Sequence, residues 1–358
     1  MSRVRIAFAA VALICTSVFA QDWPNEPIIK HSTYQAVNGD GSSAYGGAFP
    51  IRLRGVVLNN TEDWLDPTPA YDSGVNLWRM GGQAELYVQT VDESDFGGTA
   101  AWMGQYYGNH IQNQDPVYNY TDPEWQEELG RLNLFGGTIG GQPVAEPIRA
   151  GDLVEIRVRG GLHYLGKMNV NEQHDNDYDR ADDGENHDFE LVILHRGYGL
   201  PEPTPLALSD MKLTDDTFIF DPTRQTGGER HQSTLVELTN VWLASPGDWS
   251  SDSNLTVTDG TRTFNVYLGL NASFDGTALF DVGQPFNVTG ILDQKAAGPM
   301  NPDPDGDGVL NEDGYQILAM DASAFEAVPE PTTITLVGMA VLAAGYRRRR
   351  PRRHAQRG

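Results

Sequence analysis

The sequence is poor in cysteine and in recognisable catalytic motifs. Its single cysteine, Cys15, lies within the first 20 residues. Without that segment no disulfide can form, so stability in an oxidising compartment must come from core packing, to which a bound metal could add. The sequence contains no Gly-x-Ser-x-Gly or His-Glu-x-x-His motif, and the glycine-rich segment 136–141 lacks the lysine of a phosphate-binding loop. We therefore expect a non-catalytic protein.

The N-terminal 20 residues have the pattern of a secretory signal peptide. Arg3 and Arg5 precede an apolar run at 6–14, and the small-residue sequence Val18-Phe19-Ala20 follows. A basic start, a short apolar centre and a small-residue exit are typical of a cleaved export signal. We assign residues 1–20 to it and expect an exported protein.

Basic residues are scarce between the two termini. Nine of the 25 basic residues lie in 1–20 and 332–358, which contain no acid. The remaining 311 residues therefore have 16 basic and 49 acidic side chains and a net charge of −33. Such a body repels phosphate backbones and attracts divalent cations, so a nucleic-acid partner is not expected. Its length suits two ordinary domains.

The C-terminus has no hydrophobic run long enough for a comfortable membrane span. An apolar run at 332–346 is 15 residues long and follows Pro329, Glu330 and Pro331. As a helix it covers about 22 Å, against a hydrocarbon core of about 30 Å. Four arginines at 347–350 follow it, which would leave the body of the protein outside the cytoplasm.

This C-terminal arrangement resembles the PEP-CTERM sorting signal of exported bacterial proteins. The resemblance covers 328–358 and implies an exosortase-type sorting enzyme as partner, with Pro329, Glu330, Pro331, Arg347 and Arg348 as the signal residues. It also implies a chain held in the membrane by a transmembrane helix at 332–346 before processing, and localisation to the cell envelope or outside the cell. The alternative is an ordinary C-terminal membrane anchor.

The segment between the termini is predicted to be all-β. After a loosely structured lead-in (21–49), β-branched and alternating runs recur, separated by turn residues. Strands are predicted at 51–58, 84–91, 99–107, 152–159 and 189–195, and again at 234–243, 254–258, 263–268, 286–292 and 315–320. One short helix is expected from the capping sequence Thr121-Asp122-Pro123-Glu124 to Leu129-Gly130. The repeated order indicates a tandem repeat.

The repeat divides the chain into a domain at 50–199, a Pro-rich linker and connector at 200–230 and a second domain at 231–327. Five strands with an irregular or helical piece after the third are the order of an OB-fold barrel. The second domain resembles the OB-fold modules of exported bacterial proteins at 257–260, 266–267 and 286–292. We therefore predict two tandem five-stranded OB-fold-like barrels, with a β-sandwich as the alternative.

A calcium loop is predicted between the last two strands of the second domain. Residues 303–314 place carboxylates at alternate positions before a glycine, a spacing suited to Ca²⁺. The loop resembles those of EF-hands, dockerins and thrombospondin-type repeats. The resemblance implies ligands from Asp303, Asp305, Asp307, Val309, Asn311 and Asp313. Gly314 stands where those loops have a bidentate acid, so Asp313 or Glu312 must close the shell. A solvated acidic hairpin tip is the alternative.

A second acidic stretch occupies 172–190 in the first domain. It is predicted to lie at the equivalent connection, on the same edge of its barrel, and to offer a weaker metal site at Asp175, Asp177, Asp179 and Asp183. His163, His174, His187 and His195 could suggest a transition-metal or nuclease centre. Because their spacing is irregular, we interpret them as surface and core residues.

An aromatic and amide-rich region at 102–125 is a candidate ligand-binding surface. Trp102, Tyr106 and Tyr107 could stack on sugar rings, although packing within the core and loops is the alternative.

Taken together, these features predict an exported, non-catalytic, Ca²⁺-stabilised protein of the envelope or extracellular matrix. The alternatives are an exopolysaccharide-binding module and an accessory to an extracellular metal-dependent nuclease.

Overall fold

The computed structural model describes residues 26–66, 70–72, 77–79, 82–106, 119–134, 138–139, 142–143, 146–171, 189–276, 278–295 and 314–328. Several predictions fall outside these residues: the signal peptide, both acidic metal segments, Tyr107, and the sorting signal at 329–358. Among the described residues no helix is both long and apolar enough to cross a bilayer. The predicted span at 332–346 is not among them.

The described chain forms two units of strands, the first at 26–200 and the second at 201–328. The strands of the first unit are β1 (Ile51–Val57), β2 (Ala70–Asp72), β3 (Leu77–Arg79), β4 (Gln83–Gln89), β5 (Gly98–Gly104), β6 (Thr138–Ile139), β7 (Gln142–Pro143), β8 (Leu153–Val158), β9 (Gly161–Tyr164), β10 (Lys167–Asn171) and β11 (Phe189–His195). Those of the second are β12 (Thr204–Leu206), β13 (Thr234–Leu243), β14 (Asn254–Thr258), β15 (Thr263–Leu268), β16 (Phe286–Gln294), β17 (Tyr315–Ala319) and β18 (Phe325–Ala327). Helices span His31–Tyr34, Thr61–Trp64, Asp122–Arg131 and Leu208–Met211, and 3₁₀ turns span Gly228–His231, Ala272–Phe274 and Ala322–Ala324.

The second unit contains a closed barrel of five strands. Their order is β13–β14–β15–β17–β16, and β16 pairs back onto β13. The inward residues alternate along the strands, as in β15, where Phe264, Val266 and Leu268 are buried and their neighbours are exposed or half-buried. Since strand side chains alternate between faces, this pattern places one apolar face inside the barrel. The predicted all-β class and closed five-stranded barrel are confirmed here.

The first unit curls in the same way. Its sheet has the order β11–β8–β1–β4–β5–β10–β9. Only Arg159 and Gly160 separate β8 from β9, so the chain itself joins the two sides of the sheet. The core inside includes Ile51, Val88 and Val170. The two units thus share one strand order, and β10 pairs in parallel with β5 as β17 does with β15.

This pairing corrects the predicted fifth strand of the first unit. The strand paired with the third strand is β10, whereas β11 at 189–195 is an additional strand on β8, as β18 is on β16. The connection between the fourth and fifth strands is the tight turn Leu165-Gly166, and the acidic stretch at 172–188 follows β10. The two acidic segments are therefore not at equivalent connections. The alternating run at 189–195 is longer than β10, so the sequence predicted it, and not β10, as the fifth strand.

The repeat also begins earlier than predicted. Ile28 bridges β1 in parallel, as β12 does β13, and each short segment leads into a one-turn helix with buried residues. An Asx turn follows in both units, with the Ser42 amide donating to Asp40 and the Thr217 amide donating to Asp215. The predicted lead-in (21–49), as far as it is described, and linker (200–230) are therefore parts of the units. Their prolines and glycines had suggested irregular chain.

The predicted helix begins where its capping sequence indicates. The Thr121 amide and hydroxyl both donate to the Glu124 carboxylate at 2.7 Å. This capping box satisfies N–H groups that have no partner in the first turn. The helix ends at Arg131, one residue beyond the predicted Gly130.

A shared apolar cluster joins the two units. It contains Leu58, Trp64, Tyr87, Ala100, Ile291 and Leu318, all buried. Backbone contacts cross the same junction: the Gly98 amide donates to Gln232 O at 3.0 Å, and the Leu270 amide donates to Asp63 O at 2.9 Å. The two units are therefore packed against each other through a common core.

Candidate functional site

A cleft of about 320 Å³ lies where the two units meet. The first unit supplies most of its walls, from the helix Thr61–Trp64, β4, β5 and the β9–β10 hairpin, and the second supplies the end of β16. The lining residues are Trp64, Leu65, Gln83, Glu85, Trp102, Leu162, Tyr164, Leu165, Lys167, Asn169, Asp293, Gln294 and Lys295. Seven of these thirteen side chains are polar or charged, but most of the surface that they and the others present to the cleft is apolar. Small-ligand sites commonly combine apolar surface with a few fixed polar groups.

Three aromatic side chains form its walls, and two of them are held in place by hydrogen bonds. The Trp64 indole donates to Glu85 Oε2 at 2.9 Å, and the Trp102 indole donates to Gln83 Oε1 at 3.1 Å. Tyr164 on β9 is 39 % exposed. Fixed indole rings present an apolar face to a ligand without losing rotamer freedom on binding.

A buried charge network forms the floor of the cleft. The Lys167 ammonium contacts Asp293 Oδ1 and donates to Glu85 Oε1 and Tyr87 Oη, both at 3.1 Å. The Tyr87 hydroxyl donates to Asp293 at 3.0 Å, and Gln316 Nε2 donates to the other Asp293 oxygen at 3.1 Å. All five side chains are at least nine-tenths buried. The network crosses the junction, because Asp293 and Gln316 belong to the second unit.

The network keeps Lys167 charged. Burial by itself would lower the pKa of this ammonium, but Asp293 and Glu85 outweigh it and raise the pKa above its usual value. Burial, reinforced by the same two carboxylates, raises the pKa of Tyr87 well above its usual value, so its hydroxyl remains protonated. The three N–H groups of Lys167 have three acceptors. The floor therefore resembles a satisfied structural network more than a nucleophile or base awaiting a substrate.

One lining residue offers an acceptor that the protein does not use. Asn169 on β10 is 5 % exposed, and its Oδ1 has no hydrogen-bond partner within the described residues. A buried amide oxygen without a donor costs free energy. A ligand hydroxyl or amide N–H in the cleft could satisfy it.

The predicted sugar-stacking residues have different outcomes. Trp102 lies in the cleft wall. Tyr106 is only 4 % exposed and is not among the residues that line this cleft, so a ligand contact at Tyr106 stays a prediction. Burial, with Asp122 nearby, raises the pKa of Tyr106 to about 12. Tyr107 lies outside the described residues.

Glu85, Lys167 and Asp293 were not predicted as site residues from the sequence. A signal was present, because β16 carries adjacent apolar residues, Ile291 and Leu292, and both are buried. Apolar side chains on both faces of a strand indicate that both faces are covered. That pattern predicts a partner for the outer face of the barrel, although not which residues meet there.

All the residues predicted to bind metal lie outside the described residues. In the second domain these are Asp303, Asp305, Asp307, Val309, Asn311 and Asp313, and in the first they are Asp175, Asp177, Asp179 and Asp183. Within the described part of the chain, no group of three or more His, Cys, Asp or Glu side chains is placed to hold a metal ion. Neither His163 nor His195 belongs to such a group among the described residues. Burial lowers the pKa of His163.

Comparison with known protein families identifies the C-terminal segment. The model of the PEP-CTERM protein-sorting motif matches residues 327–350, which include Pro329, Glu330, Pro331, Arg347 and Arg348. The chain matches no curated protein sequence. The predicted sorting signal is thus confirmed, and the chain is an exported bacterial protein that is sorted through an exosortase-type enzyme. Its two β-units are the part that such sorting delivers to the cell envelope.

Proposed function

We propose that this exported protein is a non-catalytic component of the envelope or extracellular matrix that binds a saccharide in the cleft between its two units. The observation that carries the proposal is the unused acceptor of Asn169 in a cleft walled by Trp64 and Trp102. Sugar rings offer apolar faces for aromatic side chains and hydroxyls for acceptors, and OB-type barrels accommodate oligosaccharides. The satisfied network of Lys167, Glu85 and Asp293 supports binding without catalysis.

An array of immobilised polysaccharides tests the proposal. The array should include neutral polymers such as cellulose, xylan, glucomannan and dextran, together with the uronate polymer alginate. We expect the purified protein to bind at least one polymer and the Trp102→Ala variant to lose that binding. Binding to none of them, or equal binding by the variant, would contradict a saccharide site in the cleft.

Two tyrosines provide a matched control. Tyr164 lines the cleft and is 39 % exposed, whereas Tyr198 is 52 % exposed and is not among the lining residues. Tyr164→Ala should weaken binding and Tyr198→Ala should not. Equal losses in the two variants would point to adsorption on aromatic surface in general.

We also propose that Ca²⁺ stabilises the second unit through the loop at 303–313. The support is the spacing of Asp303, Asp305 and Asp307, which suits oxygen coordination of Ca²⁺. A ligand that binds the folded state raises the melting temperature. Millimolar Ca²⁺ should raise it, and Asp305→Ala should abolish the rise. An unchanged melting temperature would contradict stabilisation by Ca²⁺.

Nothing among the described residues favours an accessory role for a nuclease. The net charge of −33 between the two terminal segments opposes a phosphate backbone. A metal-dependent nuclease assay with the purified protein should therefore remain blank. Cleavage that requires added metal would revive that alternative.

A further inference from the structure

The outward-facing side chains of β14 and β15 are polar and uncharged, and at one end of this face the Tyr267 hydroxyl donates to the Asp252 carboxylate. The two strands are antiparallel, and their register pairs Asn254 with Tyr267, Thr256 with Asn265 and Thr258 with Thr263. Directly opposed residues point to the same side of a sheet. The alternate residues Leu255, Val257, Phe264 and Val266 are buried inside the barrel, so the paired polar residues face outward.

An aromatic side chain lies at each end of this face. Trp242 on β13 is directly opposite Thr258 and is half-buried. Tyr267 lies at the other end, also half-buried. From Thr263 to Tyr267 the chain advances four residues, about 13 Å at the usual rise of an extended strand.

The side chains between the aromatic residues are available to a ligand. Asn254, Thr256 and Asn265 are exposed and make no side-chain hydrogen bond to any part of the chain that the structure describes. Thr258 and Thr263 are engaged, since their hydroxyls donate to Arg262 O and to Asp216. The free groups thus form a short polar row along the middle of the face.

The face continues directly into the cleft. The Tyr267 ring packs edge-on against Trp64, with 4.5 Å between ring centroids, and Trp64 lines the cleft. Lys295, at the cleft rim, places its ammonium 6.0 Å from the same tyrosine ring. Tyr267 therefore lies between the cleft and the row of Asn254, Thr256 and Asn265.

We propose that this face extends the cleft into a binding track for a linear, uncharged polysaccharide chain. The proposal rests on the saccharide site proposed above and adds the kind of ligand. The outward side chains of β14 and β15 are uncharged, and the charged groups at the ends of the face include two carboxylates, Asp252 and Asp216. These carboxylates and the net charge of −33 would repel an anionic polymer such as a uronate. Amide and hydroxyl side chains between aromatic residues match a neutral chain of linked rings.

The test compares short and long ligands. The probes are the purified disaccharide and hexasaccharide of the neutral polymer that binds on the array, measured by isothermal titration calorimetry. The unsubstituted protein should bind the hexasaccharide more tightly. The double variant Thr256→Ala/Asn265→Ala should weaken only hexasaccharide binding, by about threefold to tenfold for each hydrogen bond lost.

Thr33→Ala is the matched control, because Thr33 is an exposed threonine in the first unit. It should leave both affinities unchanged, and the melting temperatures of all variants should agree with that of the unsubstituted protein. Both substituted face residues are exposed, so the double variant should fold.

Several outcomes would overturn the track. These are equal affinity for the two ligands, a double variant that weakens both ligands equally or neither, and array binding to alginate alone. If Trp102→Ala still abolishes disaccharide binding in the first two cases, or alginate binding in the third, the saccharide site in the cleft stands without the track. A dimer in light scattering that the double variant dissociates would assign the face to a second copy of the chain instead.

Discussion

Lys167 is the residue on which the junction between the two units depends. It is 6 % exposed and bonds Glu85 and Tyr87 from its own unit and Asp293 from the other. Charges buried at such a junction are tolerated because each has a partner, and such groups can specify one packing arrangement over others. Removing one partner leaves the others buried and unpaired.

Replacing Lys167 with methionine should therefore be strongly destabilising. Methionine fills a similar volume, but Glu85 and Asp293 would lose their cation. We expect the free energy of unfolding to fall by about 3–5 kcal/mol, measured by urea denaturation.

Lys30→Met is the control for this substitution. Lys30 is exposed and donates to Ser94, so its loss should change stability by no more than about 0.5 kcal/mol. Similar losses in the two variants would show that the network at the junction has no special role.

His231 should make stability depend on pH. Burial, with Arg230 nearby, lowers the pKa of this imidazole to about 4, against about 6.5 in an unfolded chain. The folded protein therefore binds fewer protons than the unfolded one in this range. The contribution of His231 to stability is complete above pH 6.5 and is lost as the pH falls towards 4.

The measurement is urea denaturation of the unsubstituted protein and of His231→Gln at pH 7 and pH 5. The unsubstituted protein should lose more stability between the two pH values than the variant. Burial also raises the pKa of Glu229. The contribution of Glu229 to stability is therefore present at low pH and is lost as the pH rises, opposite to that of His231. Both proteins share Glu229, so the comparison isolates His231. Equal losses would contradict the prediction.

At the scale of single elements, the β9–β10 turn distinguishes the first unit from the second. Leu165 and Gly166 both have positive φ, 52° and 91°. The turn lines the cleft through Leu165, and Gly166 O accepts from Gln232 Nε2 of the second unit at 3.3 Å. The same connection in the second unit runs from 295 to 314. A two-residue turn in one copy and a much longer, acidic stretch of sequence in the other make the repeat asymmetric.

Gly166→Ala should strain this turn. A side chain at φ of 91° is unfavourable by about 1–3 kcal/mol, so the melting temperature and the saccharide affinity should both fall. Gly39→Ala is the matched control, because Gly39 has no positive φ and no atom within 4 Å of an added Cβ. Saccharide affinity unchanged in Gly166→Ala would show that the cleft does not require the turn.

At the scale of the whole molecule, the two units share a core. Trp64 and Tyr87 from the first unit pack with Ile291 and Leu318 from the second. Apolar surface buried between the units stabilises both at once. The described residues therefore behave as one body with a cleft at its seam.

The shared core predicts a single cooperative unfolding transition. Cutting the exposed connection at 197–200, after insertion of a protease site, should leave the two fragments together in size-exclusion chromatography. The Ile291→Ala variant should destabilise both units. Hydrogen exchange, measured on peptides from each unit, should therefore become faster in both. Two separate transitions, or fragments that elute apart, would contradict a common core.

Much of the local structure follows from the sequence. The alternation at 263–268, the capping box of Thr121 and Glu124, and the hairpin of β4 and β5 each depend on neighbours in the chain, and each was predictable. The sorting signal was also predictable, because Pro329 to Pro331, the apolar run and the arginines are contiguous in the sequence. Trp102, predicted as a ligand contact, lies in the wall of the cleft, but neither the cleft nor the residues around it were predicted.

Sequence by itself determined the sorting signal, the strand content and the repeat, since these depend on contiguous patterns and on alternation along single strands. The tertiary structure alone decided that β10 pairs with the third strand, that the segments 26–49 and 200–230 belong to the barrels, and that Lys167 meets Asp293. The last two are 126 positions apart in the chain. Contacts at such separations depend on how two surfaces pack, and no local period encodes them.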